Sequence, residues 1–163
     1  MKIGLLRQEV HVWFYTPKGE IIFQLRAKDK DTFPGLLDST AGGHVEIGDN
    51  YETSAVKEVE EETGLKLRLE QLTFIRIQRR KYHDTVTGLM NNVLRALYVY
   101  RYDRPMSDLR IEVGKAQGFE AIPLATVFSS TVAVLSKFIP SLFGDDWQTF
   151  FKEVENYPRV YKN

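Results

Sequence analysis

The pattern of apolar positions predicts strands on both sides of one short helix near the middle of the chain. Residues 10–15 are rich in β-forming side chains, and residues 20–26 follow after a Thr-Pro-Lys-Gly turn, so these two segments predict a β-hairpin. Alternating leucines predict a strand that ends near Leu69, and further strands are predicted at 73–78 and 93–102. The last of these is the most β-like run and suits a central strand.

The C-terminal part of the chain predicts two helices, at residues 126–143 and 145–157. Four apolar residues of the second follow the i, i+3, i+4, i+7 spacing of one helical face, namely Trp147, Phe150, Phe151 and Val154. We expect this stripe to pack on the sheet, and a dimer surface is the alternative. The succession of strands, helix, strands and helices predicts an α/β fold, with residues 1–163 as one domain.

Residues 42–65 combine a glycine-rich loop with a short helix that is marked at both ends. Asp49 or Asn50 can cap the start of this helix, because both side chains accept hydrogen bonds from free backbone N–H groups. Gly64 suits a left-handed cap at its end.

Three glutamates of this helix, Glu58, Glu61 and Glu62, are spaced i, i+3 and i+4 and therefore project from one face. No Lys or Arg lies among them to neutralise their charge. Mg²⁺ or Mn²⁺ would reverse the repulsion, because both ions prefer carboxylate, carbonyl and water oxygens. A solvated acidic face is the alternative, but the adjacent glycine loop favours a metal site.

The same stretch resembles the Nudix box, Gly-x5-Glu-x7-Arg-Glu-U-x-Glu-Glu-x-Gly-U, in which U is an aliphatic residue. Seven of the nine defined positions match, with the spacing intact. Two positions depart, since Asp49 replaces Glu and Lys57 replaces Arg. The aligned residues are Gly43, Asp49, Lys57, Glu58, Val59, Glu61, Glu62, Gly64 and Leu65.

The resemblance implies an α/β/α sandwich with a mixed sheet, and it covers residues 9–135. It also implies a metal-dependent hydrolase that cleaves a nucleoside diphosphate linked to another moiety, or a similar diphosphate. In such an enzyme, Mg²⁺ or Mn²⁺ is bound by three glutamates and a glycine carbonyl, which here are Glu58, Glu61, Glu62 and Gly43. Asp49 and Lys57 would support the box.

Catalytic and substrate-binding candidates also follow from the resemblance. The general base would be a box glutamate, Glu61 or Glu58, or Glu112 in a later loop, with Glu120 as a further candidate. His44 and Arg26 would lie near the diphosphate. His44 could instead simply order its turn. Arg79 belongs to a cationic and aromatic cluster that runs from Arg76 to His83, and this cluster could be either a substrate rim or a solvated strand end.

The order of Arg26, a Lys/Asp-rich loop, Phe-Pro-Gly and Gly-Gly-His resembles one branch of the family, the type I isopentenyl diphosphate isomerases and their hydrolase relatives. In the isomerases a cysteine precedes the Gly-His pair, and here that residue is Gly42. An Asn also replaces the Glu expected near residues 90–93. These departures favour a hydrolase. The alternative to an enzyme is a binding module that no longer turns over its ligand, and the departures at Asp49 and Lys57 suggest it.

Composition limits the partners and the chemistry. The 163 residues carry 22 basic and 22 acidic side chains, so charge favours neither nucleic acid nor an anionic membrane as the main partner. The absence of cysteine excludes disulfides and cysteine nucleophiles. Neither a signal peptide nor a transmembrane helix is predicted, so we expect a cytoplasmic protein acting on a small diphosphate. Family resemblance adds a homodimer as an expectation.

Overall fold

The structure is a computed structural model that describes residues 3–129, 132–140, 142 and 146–160. Within these residues, seven strands form one sheet: β1 (Ile3–Tyr15), β2 (Glu20–Arg26), β3 (Leu37–Asp38), β4 (Ala41–His44), β5 (Thr73–His83), β6 (Met90–Arg101) and β7 (Ala116–Pro123). The helices are α1 (Tyr51–Thr63), α2 (Leu124–Phe128), α3 (Val132–Leu135) and α4 (Trp147–Val160), with 3₁₀ turns at Leu69–Gln71 and Met106–Asp108.

The sheet is mixed, as predicted. Its order is β3-β2-β1-β6-β5, with β4 paired to β1 and β7 paired to β2. Strands β1 and β6 run parallel, and the other pairs are antiparallel. The predicted hairpin of β1 and β2 is confirmed.

The hairpin strands separate soon after their turn, and this separation creates the space for the site. Strands β1 and β2 pair at only two positions next to the turn, and β4 takes over the same edge of β1 at residues 9–12. The buried Thr40 hydroxyl lies at the point of separation, where it accepts a 2.9 Å hydrogen bond from Phe14 N and donates to Ile22 O. Backbone groups that lose their ladder partners are therefore satisfied by one side chain.

Apolar residues cover both faces of the sheet. On one face, Ala55 and Val59 of α1 pack on Val10 and neighbouring strand residues. On the other face, Trp13 meets Phe151 of α4 edge-to-face, with ring centroids 5.2 Å apart. The predicted apolar stripe of α4 is buried in this second cluster, apart from the half-buried Trp147. Helices on both faces give the α/β/α arrangement.

The strand predicted to end near Leu69 is wrong. Gly64 ends α1 in the left-handed conformation, with φ of 76°, and the segment after it is extended but joins no sheet. Leu65 and Leu67 are nevertheless buried, in the same apolar cluster as Ala55 and Val59 of α1. Their alternation therefore reflects burial of one side of an extended segment and not strand pairing.

The helix predicted at residues 126–143 is largely wrong, although residues 130–131, 141 and 143–145 lie outside the described part. Two short helices, α2 and α3, stand in its place. The backbone after α3 pairs with β3, because Leu37 N donates to Lys137 O at 2.8 Å and Ile139 N donates to Leu37 O at 3.0 Å. Residues 137–139 therefore pair with the edge of the sheet at Leu37 and do not continue a helix. In the described part of the chain, no helix has the length and apolar character needed to cross a bilayer.

Asn50, and not Asp49, caps α1. Its Oδ1 accepts a 2.9 Å hydrogen bond from Thr53 N, and Thr53 Oγ1 accepts one of 3.2 Å from Asn50 N. We expect Asn50→Ala to lower the free energy of unfolding by about 1 kcal/mol, since both bonds of this capping box depend on the Asn50 conformation. Urea unfolding of Asn50→Ala and Asp49→Ala measures this. Equal losses in the two variants would contradict the assignment of the cap.

Candidate active site

The carboxylate of Glu58 packs directly on the glycine loop. Pairing of β4 with β1 fixes the backbone at Gly43, which lies opposite Val10. A Cβ at Gly43 would lie 2.4 Å from Glu58 Oε1, so the carboxylate reaches this place only because residue 43 has no side chain. Burial raises the pKa of Glu58, although the neighbouring positive charge of Lys115 opposes the shift.

Glu62 lies one helical turn further along α1 and is almost completely buried, with 3% of its side chain exposed. Its Oε2 accepts hydrogen bonds from Gln24 Nε2 at 2.8 Å and from Gly42 N at 3.4 Å. Burial raises the pKa of Glu62 to about 7. The site therefore holds a carboxylate whose charge needs compensation from its surroundings.

Lys115 provides that compensation. The sequence places no Lys or Arg between Glu58 and Glu62 of the helix, but the fold brings one to both from a distant loop. Lys115 Nζ lies 2.5 Å from Glu62 Oε1, 3.5 Å from Glu112 Oε2 and 3.8 Å from Glu58 Oε2. Burial acts to lower the pKa of Lys115, but the charges of the three glutamates outweigh it and raise that pKa. The loop before β7 therefore brings both a carboxylate and an ammonium group to α1.

Glu61 does not join this cluster, although its spacing places it on the same side of the helix. Its side chain is exposed, whereas Glu58 is half-buried and Glu62 is buried. In the part of the chain that the structure describes, no three His, Cys, Asp or Glu side chains are already arranged to hold a metal ion. Glu58 and Glu62 are brought together, and Glu61 would have to turn inward to join them.

The groups around Lys115 have the chemistry of a divalent-cation site. Glu58 Oε2, Glu62 Oε1 and Glu112 Oε2 are shielded from solvent and surround one positive charge. Carboxylate oxygens are the ligands that Mg²⁺ and Mn²⁺ prefer. The chemistry of Glu58 and Glu62 therefore fits such an ion once the ammonium group moves away from their oxygens.

A cavity of about 280 Å³ opens beside these carboxylates, at the place where β1 and β2 separate. Glu62 and Lys115 form part of its wall. Arg26, another lining residue, is held by Asp38 Oδ2 at 3.2 Å and by the Thr32 carbonyl at 2.9 Å. His44 lies at the exposed end of the wall. The cavity thus joins two predicted substrate-binding residues to the acidic cluster.

The floor of the cavity contains a second buried charge pair. Arg95, which has 4% of its side chain exposed, binds Glu9 Oε2 at 3.1 Å. His11 lies beside them, and burial, with the Arg95 and Arg80 charges, lowers its pKa well below the ordinary value. His11 is therefore neutral at pH 7.

Arg79 is not brought to the cavity. Its Nε donates to Asn92 Oδ1 at 3.3 Å, whereas Tyr82 of the same strand lines the cavity. The two residues are three positions apart, and strand alternation therefore places their side chains on opposite faces. Arg76 is also committed elsewhere, with Glu153 and Asp146 each at 2.8 Å. The predicted cationic rim is therefore divided between the two faces of the sheet.

The two box positions that depart from the family pattern lie outside the cavity. Lys57 Nζ contacts Glu46 Oε2 at 2.8 Å, in an exposed pair that ties the loop to α1. The exposed Asp49 donates its backbone N–H to Glu46 O at 3.0 Å. The sequence does not distinguish Glu46 from other surface glutamates, because it carries no signal beyond its charge.

Two further residues of the site, Gln24 and Lys115, have only weak signals in the sequence. Gln24 interrupts the apolar run of β2, and a polar residue in a buried strand indicates a specific partner. Lys115 follows Glu112, a candidate base, by three residues in the same loop. Its partners are distant in sequence, so only the fold pairs them.

The raised pKa of Glu62 predicts a pH-dependent stability in EDTA. Glu62 keeps its proton up to about pH 7 in the folded chain, whereas in the unfolded chain it releases the proton near pH 4.5. The free energy of unfolding therefore falls as the pH rises from 4.5 to about 7, and it is constant at higher pH. The fall is of the order of 3 kcal/mol. Comparing urea unfolding of the wild-type protein and Glu62→Gln at pH 5 and pH 8 measures it. Glu62→Gln should lack the loss of stability that comes from Glu62. An equal loss of stability between pH 5 and pH 8 in both proteins would contradict the raised pKa of Glu62.

Comparison with known proteins places this arrangement in a family. Residues 5–142 match the profile of the NUDIX domain. Nudix hydrolase 3 of Arabidopsis thaliana is 43% identical over 65 residues, which are 39% of this chain and 8% of that protein. A Nudix hydrolase of Yersinia pestis is 43% identical over 61 residues, or 37% of this chain and 34% of that protein. The chain thus matches well under half the length of these relatives.

Solved structures share the fold at low sequence identity. The MutT protein from Methanosarcina mazei Go1 superposes with a TM-score of 0.63 at 16% identity, covering 99% of this chain and 98% of that one. The NUDIX domain of Shewanella oneidensis NrtR, complexed with ADP ribose, gives 0.60 at 15% identity, with 98% and 90% covered. Together with the match over residues 5–142, the sheet, the glycine loop and the glutamate-bearing helix show that the chain belongs to the Nudix family.

Proposed function

We propose that the protein is a metal-dependent hydrolase that cleaves the phosphoanhydride bond of a nucleoside diphosphate linked to another moiety, or of a similar diphosphate. One observation carries the proposal. Glu58 and Glu62 converge on a single cationic position in the wall of a cavity that also contains Arg26. An anhydride with two phosphates needs cations on several oxygens, and this wall offers both an ion site and a guanidinium.

Different side chains of the site would bind the metal ion, orient the substrate and accept a proton. Glu58 and Glu62, with the Gly43 carbonyl, would hold Mg²⁺ or Mn²⁺, and Glu61 would complete the set. When bound, such an ion neutralises diphosphate oxygens and lowers the pKa of a water molecule. Arg26 orients the substrate, since Asp38 and the Thr32 carbonyl restrict its guanidinium. Glu112, whose side chain is 41% exposed, would accept the proton of the attacking water.

The structural relatives support the choice of substrate class. One was solved with ADP ribose, and another is an Ap4A hydrolase from C. elegans. A third, from Francisella tularensis, is a bifunctional NMN adenylyltransferase/ADP ribose pyrophosphatase with AMP and a manganese ion. Its TM-score is 0.65 at 16% identity, covering 96% of this chain and 43% of that one. ADP ribose and Ap4A each contain a nucleotide joined through a phosphoanhydride, so this class is the first to test.

We also propose that the protein is one of the hydrolases of the isomerase-like branch, because of the Phe-Pro-Gly and Gly-Gly-His order of its loops. The position of Gly42 counts against isomerisation. A Cβ there would lie 2.7 Å from the Val10 carbonyl oxygen, and a cysteine side chain would need backbone movement. A single domain, a cytoplasmic location and a homodimer stay predictions.

A panel of diphosphates tests the proposal and its rival, the non-catalytic binding module. The panel contains nucleotide sugars, ADP ribose, dinucleotides, nucleoside triphosphates and prenyl diphosphates, each with Mg²⁺ or Mn²⁺ and with Glu62→Gln as the blank. We expect product from at least one nucleoside diphosphate derivative and none from the blank. Thermal stabilisation by one ligand, with no product from any, would replace the hydrolase with the binding module.

A further inference from the structure

Lys115 is the one residue of the acidic cluster that the proposed chemistry does not use. Its ammonium group contacts Glu62, Glu112 and Glu58 at 2.5, 3.5 and 3.8 Å. It therefore sits among the oxygens that the proposed function assigns to the metal ion. One set of carboxylate oxygens cannot surround an ammonium group and a divalent ion at the same time.

The backbone on both sides of this side chain is fixed. Lys115 N donates to Glu112 O at 3.1 Å, and Ala27 N donates to Lys115 O at 3.0 Å. The side chain itself is 31% exposed and lies along the cavity wall. Rotation of its four-carbon stem can therefore carry the ammonium group into the cavity without moving the loop.

The cluster needs a cation in order to stay folded around ionised carboxylates. Glu62 is 3% exposed, and an unpaired buried carboxylate is strongly destabilising. Gln24 and the Gly42 N–H supply hydrogen bonds to one of its oxygens but no positive charge. Lys115 supplies the charge to the other oxygen.

We propose that Lys115 is the internal counter-ion of the metal site: it holds Glu58 and Glu62 in place, and a divalent ion displaces it on binding. This inference rests on the proposed function. It makes Lys115 a positioning residue that weakens metal affinity, because the ion has to replace an existing ion pair and then tolerate a nearby positive charge. The protein would thereby keep a stable, charged site at low metal concentration.

Direct metal binding tests the inference without substrate. Mn²⁺ is titrated at pH 8.5 into the wild-type protein, Lys115→Met and Lys66→Met, and free Mn²⁺ is followed by electron paramagnetic resonance. Lys66 is a matched control, since it pairs with Glu60 of the same helix at 3.5 Å but is 84% exposed. Thermal unfolding in EDTA is measured for the same three proteins, and Lys115→Gln is a second variant if Lys115→Met does not fold.

We expect Lys115→Met to bind Mn²⁺ about tenfold more tightly than wild type, from the loss of a charged hydrogen bond that competes with the ion. Its melting temperature in EDTA should fall by about 5 °C, and Lys66→Met should match wild type in both measurements. Unchanged or weaker Mn²⁺ binding by Lys115→Met would overturn the inference.

Two results separate this inference from the proposed function. Tighter Mn²⁺ binding by the variant, with no diphosphate hydrolysed by either protein, would support the counter-ion and refute the hydrolase. Absence of Mn²⁺ binding in both wild type and Lys115→Met would refute the metal site, and the counter-ion with it.

Discussion

Replacing Glu62 with Gln is expected to lower kcat/KM for the diphosphate substrate by at least about a hundredfold while the protein stays folded. The substitution removes the buried charge but preserves the shape of the side chain. The amide oxygen can still accept the 2.8 Å hydrogen bond from Gln24 Nε2, so the local structure is retained. In EDTA above pH 7 the variant should be more stable than wild type, because the raised pKa shows that the fold disfavours the charged carboxylate.

Glu60→Gln is the matched control for this prediction. Glu60 lies on the same helix, is exposed and pairs with Lys66. Steady-state kinetics at saturating Mg²⁺ and urea unfolding are measured for both variants. Loss of activity in Glu62→Gln alone, with a folded protein, supports the site. Full turnover by Glu62→Gln would remove this carboxylate from the mechanism.

Gly43→Ala should have the second largest effect, and it should act on activity more than on stability. The new methyl group would lie 2.4 Å from Glu58 Oε1 and 2.5 Å from Glu58 Cδ. The end of a glutamate side chain can move away at small energetic cost, but the carboxylate then leaves the position assigned to the metal ion. A displacement of about 1 Å at such a site costs on the order of a hundredfold in rate.

Gly118→Ala provides the comparison, because a Cβ at Gly118 of β7 meets no atom within 4 Å. Activity, Mn²⁺ affinity and the free energy of unfolding are measured for both variants. We expect Gly43→Ala to lose activity and Mn²⁺ affinity together, and Gly118→Ala to lose neither. Wild-type Mn²⁺ affinity in Gly43→Ala would show that the Glu58 carboxylate is not required where the structure places it.

Local patterns predicted much of the fold. The hairpin of β1 and β2, the ends of α1 and the apolar stripe of α4 all depend on turn chemistry or periodicity within a short segment. Such signals fail where an extended segment buries alternate residues without pairing, as at Leu65 and Leu67. They also fail where a distant sheet edge captures the backbone, as β3 does at Ile139.

The sequence predicts those residues of the site that belong to the box. Helical spacing brings Glu58 and Glu62 together, and the glycine at position 43 makes room for the first of them. Spacing does not reveal that Glu61 is exposed, because exposure depends on what packs against each side of the helix. Nor does it reveal Lys115, whose pairing with Glu62 requires β7 to align with β2 and to carry the preceding loop to α1.

The most direct test of the metal-dependent hydrolase is turnover of the substrate that the panel identifies, measured first in EDTA and then after Mg²⁺ or Mn²⁺ is restored. Wild type should be inactive in EDTA and recover with either ion, and Glu62→Gln should stay at least about a hundredfold slower under both conditions. Equal turnover of wild type with and without the ions would contradict the account.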